Sequence, residues 1–250
     1  MTTVNRDTFF DWSAHTPDPN DPQAKQTLRR LLPTLRRLHT DGGDLLHYVC
    51  QRAAGKRVLD IGVVSHSANT FDLESWRHGK IARSAAYCLG IDILEPLVNE
   101  LQSRGFHVRC ADATSDQDLG ERFELVFIGD VVEHVERPAA LLAFAGRHLT
   151  PDGSILMATP NPFSRKFVRQ LVREGVMVVN LDHISWVTPS MAYELGRRGG
   201  VALRAYHLIR PIAPWRMRLK QLTRRFIPLE SHFHDYLYEF TRIPTPIPPE

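Results

Sequence analysis

Short apolar runs that end in turn-forming or acidic residues recur along the middle of this chain, at 57 to 63 (RVLDIGV), 86 to 92 (AYCLGID), 106 to 111 (FHVRCA), 123 to 129 (FELVFIG) and 153 to 159 (GSILMAT). Runs of this length, apolar throughout rather than alternating, are what strands buried on both faces of a parallel sheet look like. Segments with helical patterning lie between them, at about 70 to 84, 95 to 104, 138 to 149 and 188 to 198. Strand alternating with helix predicts an α/β, Rossmann-like, doubly wound sheet. Residues 201 to 209 (VALRAYHLI) and 235 to 243 (DYLYEFTRI) supply two final strands. With 250 residues, 43% hydrophobic and 24% charged, the chain can bury a full core and lies outside the disordered and collagen-like classes.

The segments outside that alternation read differently. Residues 1 to 54 are expected to form an N-terminal arm with helices, a lid or cap on the domain of residues 55 to 250. From Gln23 to His39 leucines at 28, 31, 32, 35 and 38 make a helical stripe, with a kink expected at Pro33, and Asp44 to Ala54 reads as a second helix ended by Gly55. Cys50, Cys88 and Cys110 are odd in number and form no CxxC, against a disulfide framework or a zinc site, so buried thiols in a reducing compartment are expected. No basic segment leads into an apolar run at the N-terminus, and no stretch approaches a membrane span. The expected location is cytoplasmic, with peripheral contact at the inner face of a membrane as a further option.

Ligands of open parallel sheets bind at the carboxyl ends of the strands, near the point where strand order reverses. Three acids stand at successive strand ends: Asp60, Asp92 and Asp112. A carboxylate after the second strand is placed to accept ribose hydroxyls, and Gly62 in Asp60-Ile61-Gly62 permits a sharp turn close to a ligand. The Gly-x-Gly-x-x-Gly turn of nucleotide-dependent dehydrogenases is absent.

Over residues 55 to 209 the sequence resembles the class I S-adenosylmethionine-dependent methyltransferases: VLDIG, GIDI and ADA look like their first three motifs, and FELVFIGDVVEHVERPAALLAFAGRHLTPDGSILMATPNP like their fourth strand through the fifth. DHISWVTPSMAYELGRRGG is similar to a segment common in their small-molecule and saccharide O-methyltransferases. The resemblance implies a seven-stranded, mostly parallel sheet of order 3-2-1-4-5-7-6 with the last-formed strand antiparallel, and S-adenosylmethionine as cofactor. It places Asp60 and Gly62 at the methionine moiety, Asp92 on the ribose, Asp112 near the adenine amino group, and Gly129 and Asp130 beside the sulfonium. Ile93 and Ala113 belong to the same motifs and count with the cofactor-binding residues. The usual glycine-rich loop is replaced by a Ser-His turn and a Trp76-x-His78 element, in which Ser65, His66 and Ser67 can offer donors to a ligand carboxylate.

Methylating an alcohol requires removal of a proton, for which histidine is the natural base near neutral pH. His134, in Asp130-Val-Val-Glu133-His134, and His183 stand where an acceptor would be met. Asp130, Glu133 and His134 also match an arrangement that some quinone-precursor O-methyltransferases use for a divalent cation such as Mg2+, although a metal-free reaction is preferred. The segment from Arg210 to Leu229, part of a basic insertion at 210 to 231, carries six basic residues and no acid between interleaved apolar ones. It fits a phosphorylated acceptor, an anionic membrane surface, or a helix packed on the core. No RNA-binding module accompanies it, which disfavours nucleic acid. The function expected is O-methylation of a saccharide, lipid-linked glycan or other small metabolite. The alternative is a catalytically inactive module of the same fold that acts as a membrane or partner adaptor.

Overall fold

The computed structural model describes residues 9–64, 68–72, 74–222 and 228–243. Eight strands form one sheet: β1 (Arg36–His39), β2 (Arg57–Ile61), β3 (Tyr87–Asp92), β4 (Val108–Cys110), β5 (Phe123–Gly129), β6 (Leu149–Pro160), β7 (Val201–Ile209) and β8 (Asp235–Arg242). Their order is β1-β7-β8-β6-β5-β2-β3-β4. The seven expected strands thus take their expected order, and an eighth joins at the β7 edge. β8 runs antiparallel to β6 and β7, and every other pairing is parallel.

Among the described residues eight α-helices accompany the sheet: α1 (Pro22–Leu35), α2 (Leu45–Ala53), α3 (Arg77–Ser84), α4 (Glu95–Ser103), α5 (Pro138–Arg147), α6 (Arg165–Glu174), α7 (Pro189–Arg198) and α8 (Pro214–Leu222). Side chains alternate across each strand, so β5 sends Val126 and Ile128 to one face and Leu125 and Phe127 to the other, all without exposure. The first face packs with Leu31 and Leu35 of α1, Leu141 and Phe144 of α5 and Tyr193 of α7. The second packs with Val49 and Ala53 of α2 and Ile81 of α3. Each such side chain contributes roughly 1.5–3 kcal/mol.

The expected helix from Gln23 to His39 is a helix only to Leu35. It begins at an Asp21 cap whose carboxylate accepts from the Ala24 N–H at 2.7 Å, runs through Pro33, and stops where Arg36 turns extended at ψ 135°. Residues 36 to 39 pair with 206 to 209 instead. The exposed edge of β7 offers a ladder of unpaired donors and acceptors, stronger than the pull of a stripe already weakened by a proline. The segment between β6 and α7, without a specific motif in the sequence, contains α6, which ends at Gly175 with φ +73°. Cys50 and Cys88 are half-buried, and burial pushes the Cys88 thiol well up, whereas Cys110 is exposed, contrary to the expectation of buried thiols throughout. Among the described residues no helix is long and apolar enough to cross a membrane.

The parallel strands all point their carboxyl ends to one rim, and the amino end of β8 joins them. N-terminal residues are tied beside α7: the Phe10 N–H donates to the Tyr193 hydroxyl, which donates to the Phe10 carbonyl, both at 2.9 Å, and the Trp12 indole donates to Glu194.

Candidate functional site

At the end of β2 the chain turns through Gly62, whose φ is +82° and whose missing Cβ leaves room for Val131. Three consecutive residues at the start of α3 hold this turn. The Trp76 indole donates to the Val63 carbonyl at 3.2 Å. Arg77 reaches across the sheet to the Gly129 carbonyl at 2.7 Å, the Gly62 carbonyl at 3.3 Å and the Asp130 carboxylate at 2.7 Å. His78 Nδ1 lies 2.8 Å from Asp60 Oδ2, both residues buried. The Trp76-x-His78 element therefore clamps the turn, and Arg77 is the residue the motif had left unassigned. Asp60 sits fully buried beneath the rim, with Oδ1 lacking a hydrogen-bond partner.

Asp92, at the end of β3, accepts from the backbone N–H groups of Val64 and Leu94, each at 3.1 Å, and so fixes the course of two turns at once. Ile93 beside it is 65% exposed, an apolar face offered at the rim. Asp92 pairs in register with Cys110, which brings Asp112 to the neighbouring strand end. Hydrogen bonds from the Thr114 hydroxyl and N–H, both 2.7 Å, hold the exposed Asp112 carboxyl below its ordinary range, and Ala113 is buried under it. Ser65 and His66, with Ser67, lie outside the described residues. A glycine turn, a half-buried acid, an exposed apolar side chain and a buried carboxylate oxygen without a partner together fit an adenosyl amino acid.

Beyond Gly129 the backbone passes through Asp130 at φ +50°, a left-handed conformation costly for a residue with a Cβ and commonest at functional sites. The next turn delivers Glu133 and His134. Glu133 is 1% exposed, and burial, helped by the charge of Asp130, raises its carboxyl to about 7. Its Oε2 accepts from the Thr159 hydroxyl at 3.1 Å, and Oε1 has no hydrogen-bond partner. His134 Nδ1 lies 3.1 Å from Asp182, and its ring meets His183 edge to face at 4.6 Å. The Glu133 carbonyl accepts from the Ile184 N–H at 2.9 Å, which binds the His183 segment to this turn.

Donor atoms of Glu133, His134 and His183 lie within 4.8 Å of one another, a set able to hold a metal ion. Asp130, the third member of the arrangement read from sequence, is turned to Arg77 instead. One carboxylate and two imidazoles suit a transition metal better than Mg2+. His183 also lines a cavity of about 420 Å³ together with Asn180, Lys166, His234 and Asp235. Burial and the charge of Asp130 raise the Asp235 carboxyl to about 6.

The structure thus brings Gly129, Asp130, Glu133, His134 and His183 to one side of the rim and Gly62, Asp92, Ile93 and Asp112 to the other, with Asp60 below. Sequence reasoning missed Arg77, Asp182 and the α6 side of the cavity. Arg77 lies inside the Trp76-x-His78 element, and Asp182 directly precedes His183. Lys166 belongs to α6, whose apolar spacing at Phe167, Val168, Leu171 and Val172 is the signal that could have found it.

A family model described as "Methyltransferase domain" matches residues 23–204. The chain is 26% identical over 136 residues to the ubiquinone biosynthesis O-methyltransferase of Methylococcus capsulatus, a match spanning 49% of this chain and 57% of that protein. It is 24% identical over 166 residues to the protein of the same name from Aeromonas salmonicida, spanning 60% and 64%. The chain therefore spans less than two thirds of the length of these relatives. A TehB-like SAM-dependent methyltransferase from Corynebacterium glutamicum superposes with a TM-score of 0.51 at 16% identity, over 88% of this chain and 96% of that one, a likeness of fold.

Proposed function

Since the chain belongs to the methyltransferase-domain family and has the class I S-adenosylmethionine-dependent fold, we propose that it transfers a methyl group from S-adenosylmethionine to a hydroxyl of a small molecule. The observation that carries this reading is the pair of imidazoles, His134 and His183, in edge contact, with His183 at the wall of a cavity. O-methylation in the names of the relatives agrees with a hydroxyl acceptor.

The sulfonium supplies an electrophilic methyl carbon, and its carbon–sulfur bond breaks as the carbon–oxygen bond forms. The chain's part is to position and to take a proton. Asp92 and Asp112 address the adenosine, and Arg77 supplies the cation at a turn that lacks further glycines. His183, facing the cavity with its Nδ1 unpartnered, receives the hydroxyl proton. Asp182 orients His134, which packs against the His183 ring and keeps it in place. A divalent cation, where one is used, would be held by Glu133, His134 and His183 and would polarise the acceptor oxygen, with His183 then a ligand in place of the base.

Titration calorimetry with S-adenosylmethionine and a labelled-methyl transfer assay on fractionated host extract test the reading together. Asp92→Ala is expected to weaken cofactor binding about a hundredfold. His183→Ala is expected to keep that binding and to lose about 10²–10⁴ in turnover. The competing reading, an inactive adaptor, draws on Arg77, whose guanidinium fills the space a Cβ of Gly129 would take. No binding at millimolar S-adenosylmethionine decides for the adaptor.

A further inference from the structure

Next to the His183 cavity lies a second one of about 410 Å³, within the size range of small-ligand sites. Three cations from α6 line it, Arg165, Lys166 and Arg169, and two more, Arg210 and Lys220, come from the segment that follows β7. His232 and His234, at the entry to β8, complete the wall, and among the described residues no acid lines it. Lys166 and His234 line both cavities, so the two are neighbours across one shared wall.

The five cations share this wall, and the acids near them stand outside it: Glu230 lines a neighbouring cavity with Arg165 and Arg169, and Asp235 lines the His183 cavity with Lys166. Burial first, then Arg210, Arg165 and Arg216, hold the Lys220 ammonium below its ordinary range. Burial, then Arg165, Lys220 and Arg210, push the His232 imidazole down to about 4, so it is neutral near pH 7. His232 is 2% exposed, yet neither of its ring nitrogens has a hydrogen-bond partner. A buried polar ring left unsatisfied is destabilising, and like charges gathered beside it add repulsion. Arg210 donates to the His232 carbonyl at 2.9 Å, which fixes one cation of the group against the strand entry. A guanidinium held in place, further cations around it and a neutral imidazole donor are the chemistry that binds a phosphate dianion.

We propose that this cavity is a phosphate-binding subsite, and that the methyl acceptor seats a phosphoryl or diphosphoryl group there while its hydroxyl meets His183. The substrate class rests on the methyl-transfer reading above, whereas the anion site stands on its own geometry. Binding of the anion offsets the repulsion and satisfies His232. It also sets the distance from the charged group to the reacting oxygen, and so selects acceptors by where their phosphate lies.

Calorimetry of the full chain with inorganic pyrophosphate, at fixed ionic strength, reads the site directly. The expected result is saturable binding to one site, weakened tenfold or more in the double variant Arg165→Ala/Arg169→Ala, whose positions are exposed on α6. S-adenosylmethionine binding of the double variant should be unchanged, which verifies folding and separates failure of the subsite from failure of the methyl-transfer reading. Absence of pyrophosphate binding, or binding that the double variant leaves intact, overturns the proposal. Sedimentation with vesicles containing phosphatidylglycerol distinguishes the other source of phosphate. Loss of vesicle binding in the double variant with pyrophosphate binding retained assigns these cations to a membrane and overturns it as well. In the labelled-methyl assay the product should be retained on an anion exchanger and released by phosphatase. Label found only in compounds without phosphate removes the substrate assignment.

Discussion

Along the half of the rim built by β2, β3 and β4, each of the three strand-end carboxylates has a partner from the chain, with Asp60 Oδ1 the one buried oxygen left open. Asp60 has His78, Asp92 has the Val64 and Leu94 amides, and Asp112 has Thr114. Along the half built by the β5 exit, β8 and α6, buried polar atoms stand without hydrogen-bond partners: Glu133 Oε1, His183 Nδ1 and both ring nitrogens of His232. The first half holds its shape before any ligand arrives. The second carries polar and charged groups that a bound ligand can satisfy, and that imbalance is where selection among acceptors is expected to reside.

The largest test of that contrast is Asp60→Ala. Removing one partner of the buried Asp60–His78 pair leaves the other uncompensated, and a loss of about 3–5 kcal/mol is expected in urea unfolding. His232→Leu on the other half should lose nothing, because it removes two unsatisfied buried atoms. Equal losses in the two variants would erase the distinction between the halves.

Two acids of β8 sharpen the same contrast through pH. Burial alone would raise the Glu239 carboxyl, but hydrogen bonds from His207 at 3.0 Å and from Arg52 win and hold it at about 2, against an ordinary 4.5. Its contribution, roughly 3 kcal/mol, is present above pH 4.5 and is lost as pH falls towards 2. Asp235, at the acceptor cavity, shifts the other way, from 3.8 to about 6, so the fold favours its protonated form and stability is lost as pH rises through 6. Thermal melts should show Glu239→Gln flattening the acid limb, and Asp235→Asn gaining stability near neutral pH but not in acid. An Asp235→Asn variant no more stable at neutral pH than its parent would place that acid among the satisfied groups.

How much of each half was legible before the structure follows from how local its residues are. Asp92, Asp112 and Gly62 end strands, and a strand end is visible in a run of apolar residues that stops. The acceptor half draws on turns after β5, a helix after β6 and the entry to β8, far apart in the chain, and only the fold brings them together. Helix α6 carries Phe167, Val168, Leu171 and Val172 at helical spacing but buries only Phe167, so the stripe marks a helix without telling what it meets, and Ser164 and Gly175 mark its ends. β1 was misread because Leu38 continues the spacing of α1's leucines, while what decides its conformation is a free edge 170 residues later in the chain. Arg77 was hidden for a different reason. Its role comes from reaching two strand ends at once, and no local spacing records that reach.

The smallest effect is the most discriminating, because its sign opposes the usual outcome of a substitution. Arg165 and Arg169 are one helical turn apart on α6 and face a cavity already holding Lys166, Arg210 and Lys220. Like charges at that spacing destabilise a helix by a few tenths of a kcal/mol, and the additional cations across the cavity increase the repulsion. Arg169→Ala should therefore raise the melting temperature by about 1 °C at low salt. The gain should shrink as salt is added, since screening weakens the repulsion in the parent protein as well. Saturating pyrophosphate should reverse the order, stabilising the parent more than the variant, because only the parent keeps the full set of donors. A variant less stable than its parent at low salt would mean that Arg169 already has compensating interactions, and the acceptor half would then be as settled as the cofactor half.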